Sequence, residues 1–212
     1  MESELKLELD PETYRTLMAM RGLGDEPVEQ INTFYDSAAG DLRRLRRALR
    51  LRRENGREGG RAFITVKGPA DRQEAGYFVR PEEEAEIAPA EAGRLAGGFR
   101  LSQCPHKPVQ ALLAAAGDLE VAPFCAFVNY RTRVRVLGWT FDLDRTLIGA
   151  AVLYELEMEG AGEGLDLQQW LRGRGCSFRH ASRTKLAAAE ALAAAVAYPP
   201  SAGAGPSAPP AG

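Results

Sequence analysis

The chain has 212 residues, 45% of them hydrophobic, and a formal net charge of −2, which suits one domain with a real core and excludes a general nucleic-acid or anionic-membrane binder. Three widely spaced cysteines (Cys104, Cys125 and Cys176) and two distant histidines (His106 and His180) exclude a disulfide framework and a zinc cluster. With no basic-then-apolar leader and no apolar run of membrane-spanning length, the expectation is a cytoplasmic protein, a monomer or weak dimer, without membrane or nucleic-acid partners.

The first predicted element is a strand in which Glu2, Glu4 and Lys6 share one face while Leu5, Leu7 and Leu9 share the other, because side chains alternate along a strand. Asp10-Pro11-Glu12 then supplies an N-cap acid and a proline at the first helical position, predicting a helix to about residue 20. Residues 30–36 read as a second strand. Residues 47–53 and 61–67 form a hairpin around a glycine-rich turn, and 76–87 is one further strand. Alanine-rich segments at 90–96 and 107–116 read as helices, followed by strands at 124–137, 139–146 and 152–160 and helices at 165–174 and 183–197. One domain therefore spans residues 1–197. The remainder, 198–212, is Pro, Ser, Gly, Ala and a tyrosine, which cannot bury a core and is expected to be disordered.

The strands share an unusual property: one face is charged and the other apolar. Arg50 and Arg52, Thr65 and Lys67, Glu82, Glu84 and Glu86, Arg131, Arg133 and Arg135, Asp142 and Asp144, and Glu155, Glu157 and Glu159 each keep one parity within their run. About eight strands, mostly antiparallel neighbours, predict an α+β fold: an eight-stranded antiparallel β-barrel, or tunnel, with helices packed outside. A dry lumen of this composition would cost several kcal/mol per ion. The charges make sense around water and an ionic ligand. Carboxylates suit hard divalent cations, and arginines and lysines suit phosphate oxygens.

In order along the chain come Glu2-x-Glu4-x-Lys6, Leu49-Arg50-Leu51-Arg52, Val66-Lys67-Gly68, Glu84 and Glu86, Leu143-Asp144, Tyr154-Glu155-Leu156-Glu157 and a late Lys185. Together they resemble the CYTH domain, or triphosphate tunnel metalloenzyme superfamily, across residues 1–195. Asn32 to Asp36, the acidic run at 82–86 and Asn129-Tyr130-Arg131 are most similar to its plant and algal members. The resemblance implies a tunnel that binds a small anionic triphosphate with Mg2+ or Mn2+. It assigns Glu2, Glu4, Glu155 and Glu157 to metal, with Asp144 and Glu84 completing an acidic floor. Lys6, Arg50, Arg52, Lys67, Arg131 and Lys185 fall to phosphate oxygens and catalysis, and Arg133 is a further candidate contact with substrate.

Substrates of the superfamily differ. The leading expectation is hydrolysis of inorganic tripolyphosphate to pyrophosphate and phosphate. Thiamine triphosphatase, class IV-type adenylate cyclase and a non-catalytic polyphosphate-binding module are the alternatives. Arg145 stands where relatives often carry an acid, and its parity points it outward. The basic run at 43–47 reads as a solvated face, and which of Glu82, Glu84 and Glu86 faces the lumen is left open by the register.

Overall fold

The computed structural model describes residues 2–21, 26–56, 59–69, 72–74, 76–160 and 164–197; the segment 198–212 expected to be disordered lies outside them. The fold is α+β, a mainly antiparallel sheet with six α-helices, none of them long and apolar enough to cross a membrane among the described residues. In chain order the elements are β1 (Glu2–Leu9), α1 (Pro11–Met18), β2 (Val28–Asp36), α2 (Asp41–Arg44), β3 (Ala48–Gly56), β4 (Gly59–Lys67), β5 (Arg72–Glu74), β6 (Tyr77–Arg80) and β7 (Glu82–Ile87). There follow α3 (Pro89–Leu95), β8 (Phe99–Arg100), α4 (Lys107–Ala116), β9 (Glu120–Val136), β10 (Trp139–Ile148), β11 (Ala151–Glu159), α5 (Gly164–Gly173), β12 (Phe178–His180) and α6 (Lys185–Ala197).

The hydrogen-bonded order is β5-β6-β1-β11-β10-β9-β2-β3-β4-β7, with β12 beside β1 and β8 beside β9. The expected eight-stranded barrel is thus met only roughly: the described residues form twelve strands, and among them the ladder has two ends. The expected strand at 76–87 is two strands, because Pro81 lacks the N–H that a continuous ladder needs. Its first half, β6, pairs with β1 and its second half, β7, with β4, while the Pro81 carbonyl accepts from Gly68 N at 2.8 Å.

Alternation sorts the sheet into a polar face and an apolar one. Leu5, Leu7, Val134, Phe141, Leu143, Leu156 and Met158 point away from the charged rows and pack with Tyr14 and Leu17 of α1 and Leu167 and Leu171 of α5. Farther round the sheet, Leu49, Leu51, Ile64, Val66 and Ile87 meet Ala92 and Leu95 of α3 and Val109 and Leu112 of α4. The hydrophobic clusters therefore lie between sheet and helices, which leaves the other face to the charges. Helix α1 starts as predicted, the Asp10 carboxylate accepting from Thr13 N at 2.7 Å with proline opening the first turn.

Helix α6 is different, since it packs against the charged side. Its buried Ala188 and Ala189 sit on Phe34 and Phe127, which share parity with the polar rows of β2 and β9.

Candidate functional site

The charged rows surround a cavity of about 1120 Å³. Glu4, Lys6, Arg50, Arg52, Lys67, Glu84, Arg131, Arg133, Glu157 and Lys185 all line it. Asp144 and Glu155 lie just beneath that surface, 0% and 4% exposed. The Glu2 side chain is outside the described residues.

Lys6 is fixed from both sides. Its backbone N–H donates to Gly76 O at 2.8 Å and its carbonyl accepts from Ala181 N at 3.1 Å, while the register sets it opposite Glu157 of β11. Gly76 has φ of +82°, and an added Cβ would fall 2.7 Å from Lys6 O; only glycine fits there.

Glu157 is the hub of the first charge cluster. Its Oε1 lies 2.6 Å from Lys6 Nζ and 2.5 Å from Lys185 Nζ, and its Oε2 accepts from Arg131 Nη2. Arg131 also grips Asp144 with two bonds, Nε at 2.9 Å and Nη2 at 2.6 Å. Lys185 Nζ completes the group, 2.8 Å from Asp144 and 2.9 Å from Glu155. Thr184 caps α6 by accepting from Ala187 N at 3.2 Å, so the helix start holds this ammonium in place.

A second cluster spans β3, β4 and β7. Arg52 Nη2 donates to both Glu84 oxygens at 3.1 and 3.2 Å, and Arg50 Nη2 reaches Glu84 at 3.3 Å and Thr65 at 3.2 Å. Lys67 Nζ lies 2.5 Å from Glu82. Glu4 sits between the clusters, 3.3 Å from Lys6 and 3.0 Å from Arg80. Glu84 is therefore engaged by Arg50 and Arg52 of its own wall and, among the described residues, makes no contact with the Glu157 cluster.

Burial pushes the carboxyls of Asp144 and Glu157 up, but neighbouring cations outweigh it. Arg131 and Lys185 bring Asp144 down to about 2, and Lys185, Lys6 and Arg131 hold Glu157 well below its ordinary 4.5. For Glu155 burial prevails over Lys185 and the pKa is raised. Lys185 loses to burial but gains more from Asp144, Glu155 and Glu157, so it stays protonated far above neutrality. Lys67 goes the other way: burial, then repulsion by Arg50 and Arg80, lowers it to about 8 despite Glu82.

Several residues here escaped the sequence reading. Arg80 pairs with Glu4 and also lines the cavity. Gln30, Asn129 and Thr146 form a buried chain, Asn129 Nδ2 donating to Gln30 Oε1 at 3.0 Å and Thr146 Oγ1 to Asn129 Oδ1 at 2.9 Å. Their parity with Asn32, Arg131 and Asp144 was the available signal. The basic run at 43–47 is largely the solvated face expected, with Arg43, Arg44 and Arg46 exposed; Arg43, Arg46 and Arg47 also border the cavity. The indoles of Trp139 and Trp170 pack on each other at 5.5 Å in the outer hydrophobic cluster and do not line the cavity.

Among the described residues the anionic donors lining this cavity are carboxylates such as Glu4, Glu84 and Glu157, which suits a hard divalent cation. Among the described residues no three His, Cys, Asp or Glu side chains form a ready-made cage. Glu4 and Glu157 open onto the cavity, and magnesium is commonly held by one or two carboxylates together with substrate phosphates. The donor set fits such an ion on those terms.

Comparison with known proteins agrees with this architecture. The sequence matches the CYTH domain over residues 1–174, and the chain belongs to that family. No curated protein matches it. Among solved structures it is similar to a candidate adenylyl cyclase from Hippeastrum described as having a dominant triphosphatase activity, with a TM-score of 0.77 and 23% identity over 91% of this chain and 96% of that one. A candidate adenylate cyclase from Bacillus halodurans gives 0.66 and 21%, covering 89% and 96%. A protein from Pyrococcus horikoshii gives 0.57 and 21%, covering 90% and 99%.

Proposed function

We propose that this protein is a metal-dependent triphosphatase whose foremost substrate is inorganic tripolyphosphate, released as pyrophosphate and phosphate. The observation that carries the reading is one cavity in which Lys6, Arg131 and Lys185 meet Glu157 on one wall, facing Arg50, Arg52 and Lys67 on another. So many cations around one space suit a compact polyanion. Arg50 Nε and Arg80 Nε are buried donors without an acceptor among the described residues, an arrangement that costs free energy until an acceptor arrives.

On this reading the sheet works as a tunnel whose eighth stave is the β6-Pro81-β7 stretch. Arg50, Arg52, Lys67 and Arg80 grip the phosphate chain from one side while Lys6, Arg131 and Lys185 orient it from the other. Arg133, already bidentate to Asp142 at 2.8 and 3.0 Å, serves the outer end. Glu4 and Glu157, with Glu155 and Asp144 behind them, would hold magnesium or manganese, which when bound neutralises phosphate charge and lowers the pKa of a coordinated water. Hydrolysis joins a water oxygen to the terminal phosphorus and breaks its anhydride bond. Negative charge then grows on the leaving bridging oxygen, and the fixed guanidinium and ammonium groups stabilise it without rearranging.

A product assay on tripolyphosphate, thiamine triphosphate and ATP with either metal tests the assignment. Orthophosphate released fastest from tripolyphosphate is expected; cyclic AMP with pyrophosphate from ATP would replace this reading with a cyclase.

A further inference from the structure

Lys6 and Lys185 both bring their ammonium groups to Glu157 Oε1, and one short stretch of chain seats the pair. On the side of β1 away from β11, two strands follow one another: β6 pairs with residues 2–5 and β12 with residues 7–9. Lys6 stands at the joint between them. Its N–H donates to Gly76 O, just before β6, and its carbonyl accepts from Ala181 N, just after β12. Four residues beyond Ala181 is Lys185 itself, at the start of α6.

His180, the last residue of β12, closes this joint. A Cβ added to Gly76 would lie 3.2 Å from both His180 Cβ and Cδ2, so the imidazole covers the glycine whose carbonyl holds Lys6. His180 is an exposed residue, and exposure alone would leave its ring free to turn. It is held instead by α5, with Nε2 at 2.8 Å from Gln168 Oε1; a carboxamide oxygen only accepts, so the ring nitrogen donates.

Gln168 is the unusual partner. It is 5% exposed, on the helix whose Leu167 and Leu171 pack in the outer hydrophobic cluster. A buried polar side chain in such company is more telling than an exposed apolar one, because its burial costs free energy unless its polar atoms are bonded. The rest of β12 is tied elsewhere: Ser177 N donates to Thr13 Oγ1 at 2.9 Å, and Arg179 pairs with Glu8 at 2.5 Å. Those contacts fix the strand along β1, whereas Gln168 fixes the end from which the chain leaves for Lys185.

We infer that Gln168 and His180 are a pair of positioning residues: their hydrogen bond sets the joint at Lys6 and the path to Lys185, and so aims both ammonium groups at Glu157 and into the cavity. Neither side chain is among those lining the cavity, so both act through the two lysines. The effect on turnover rests on the triphosphatase reading; the placement of the lysines does not.

The test uses Gln168→Leu, which keeps the buried space filled and should fold, His180→Ala, the double variant, and His180→Gln, whose amide nitrogen can take the place of Nε2. The chain has four lysines, Lys6, Lys67, Lys107 and Lys185, so carbon-13 labelling of the lysine ε-carbons follows each one by NMR. In Gln168→Leu and in His180→Ala the Lys6 and Lys185 signals should move while that of exposed Lys107 stays. The kcat for tripolyphosphate should fall roughly tenfold or more with KM changed less than about threefold, since misplaced charges stabilise the transition state poorly. The double variant should lose no more than the worse single one, because the two side chains act as a unit, and His180→Gln should recover most of the rate. A lowered melting temperature with unmoved lysine signals and unchanged kcat, losses that add in the double variant, or no recovery in His180→Gln would overturn the inference. Moved Lys6 and Lys185 signals in a protein whose wild type releases no phosphate would keep the positioning pair and sink the triphosphatase reading instead.

Discussion

Glu157 accepts from Lys6, Lys185 and Arg131 at once, and its charge decides whether those cations are at ease. Glu157→Gln removes the counter-ion shared by Lys6, Lys185 and Arg131, which keep only Glu4, Asp144 and Glu155; breaking a buried ion cluster costs up to about 3–5 kcal/mol, so the variant should melt below wild type, read by calorimetry. Lys67 gives a pH signature. With its ammonium lowered to about 8, the free protein loses a phosphate-gripping charge as pH rises through 8, so KM for the triphosphate should rise there, and Lys67→Arg should flatten the rise. The same shift has the opposite sign for stability. Below pH 8 the fold carries the full penalty of burying charged Lys67, and that penalty is relieved as pH climbs toward the unfolded value of 10.5.

The strands were legible because charge alternates along them: Glu4 and Lys6, Arg50 and Arg52, and Asp142 and Asp144 keep the parity that lines the cavity or lies just beneath it. What escaped was short or interrupted. Helix α2 has four residues, β8 two and β12 three, too few for a period to show. The break at Pro81 was visible as a proline, yet only the pairing partners reveal that β6 serves β1 while β7 serves β4. The seat of Lys6 depends on the turn before β6, and Gly76→Ala would drive a Cβ against Lys6 O at a positive φ. The expected outcome is a loss of stability greater than about 1 kcal/mol and a drop in kcat, measured by denaturant unfolding and phosphate release.

Across the whole molecule the polar and apolar faces of the sheet are exchanged relative to a filled barrel, with hydrophobic clusters under the helices and ions around the cavity. Acid should therefore dismantle it. Asp144 and Glu157 have lowered folded-state pKa values, so their contribution is complete above about pH 4.5 and is lost as pH falls toward 2; Asp144 alone supplies on the order of 2 kcal/mol. Glu155, raised by burial, works against that trend. Melting temperatures between pH 5 and 2 should fall steeply, and a flat profile would mean the carboxylates are not paired as described. The most direct test is orthophosphate release from tripolyphosphate by wild type and Lys6→Ala, each with magnesium or manganese and with chelator. Metal-dependent release by wild type is expected, lost in chelator and reduced at least a hundredfold by Lys6→Ala, about 3 kcal/mol of lost transition-state stabilisation. Full hydrolysis in chelator, or full activity of Lys6→Ala, would contradict a metal-dependent triphosphatase that grips its substrate with Lys6.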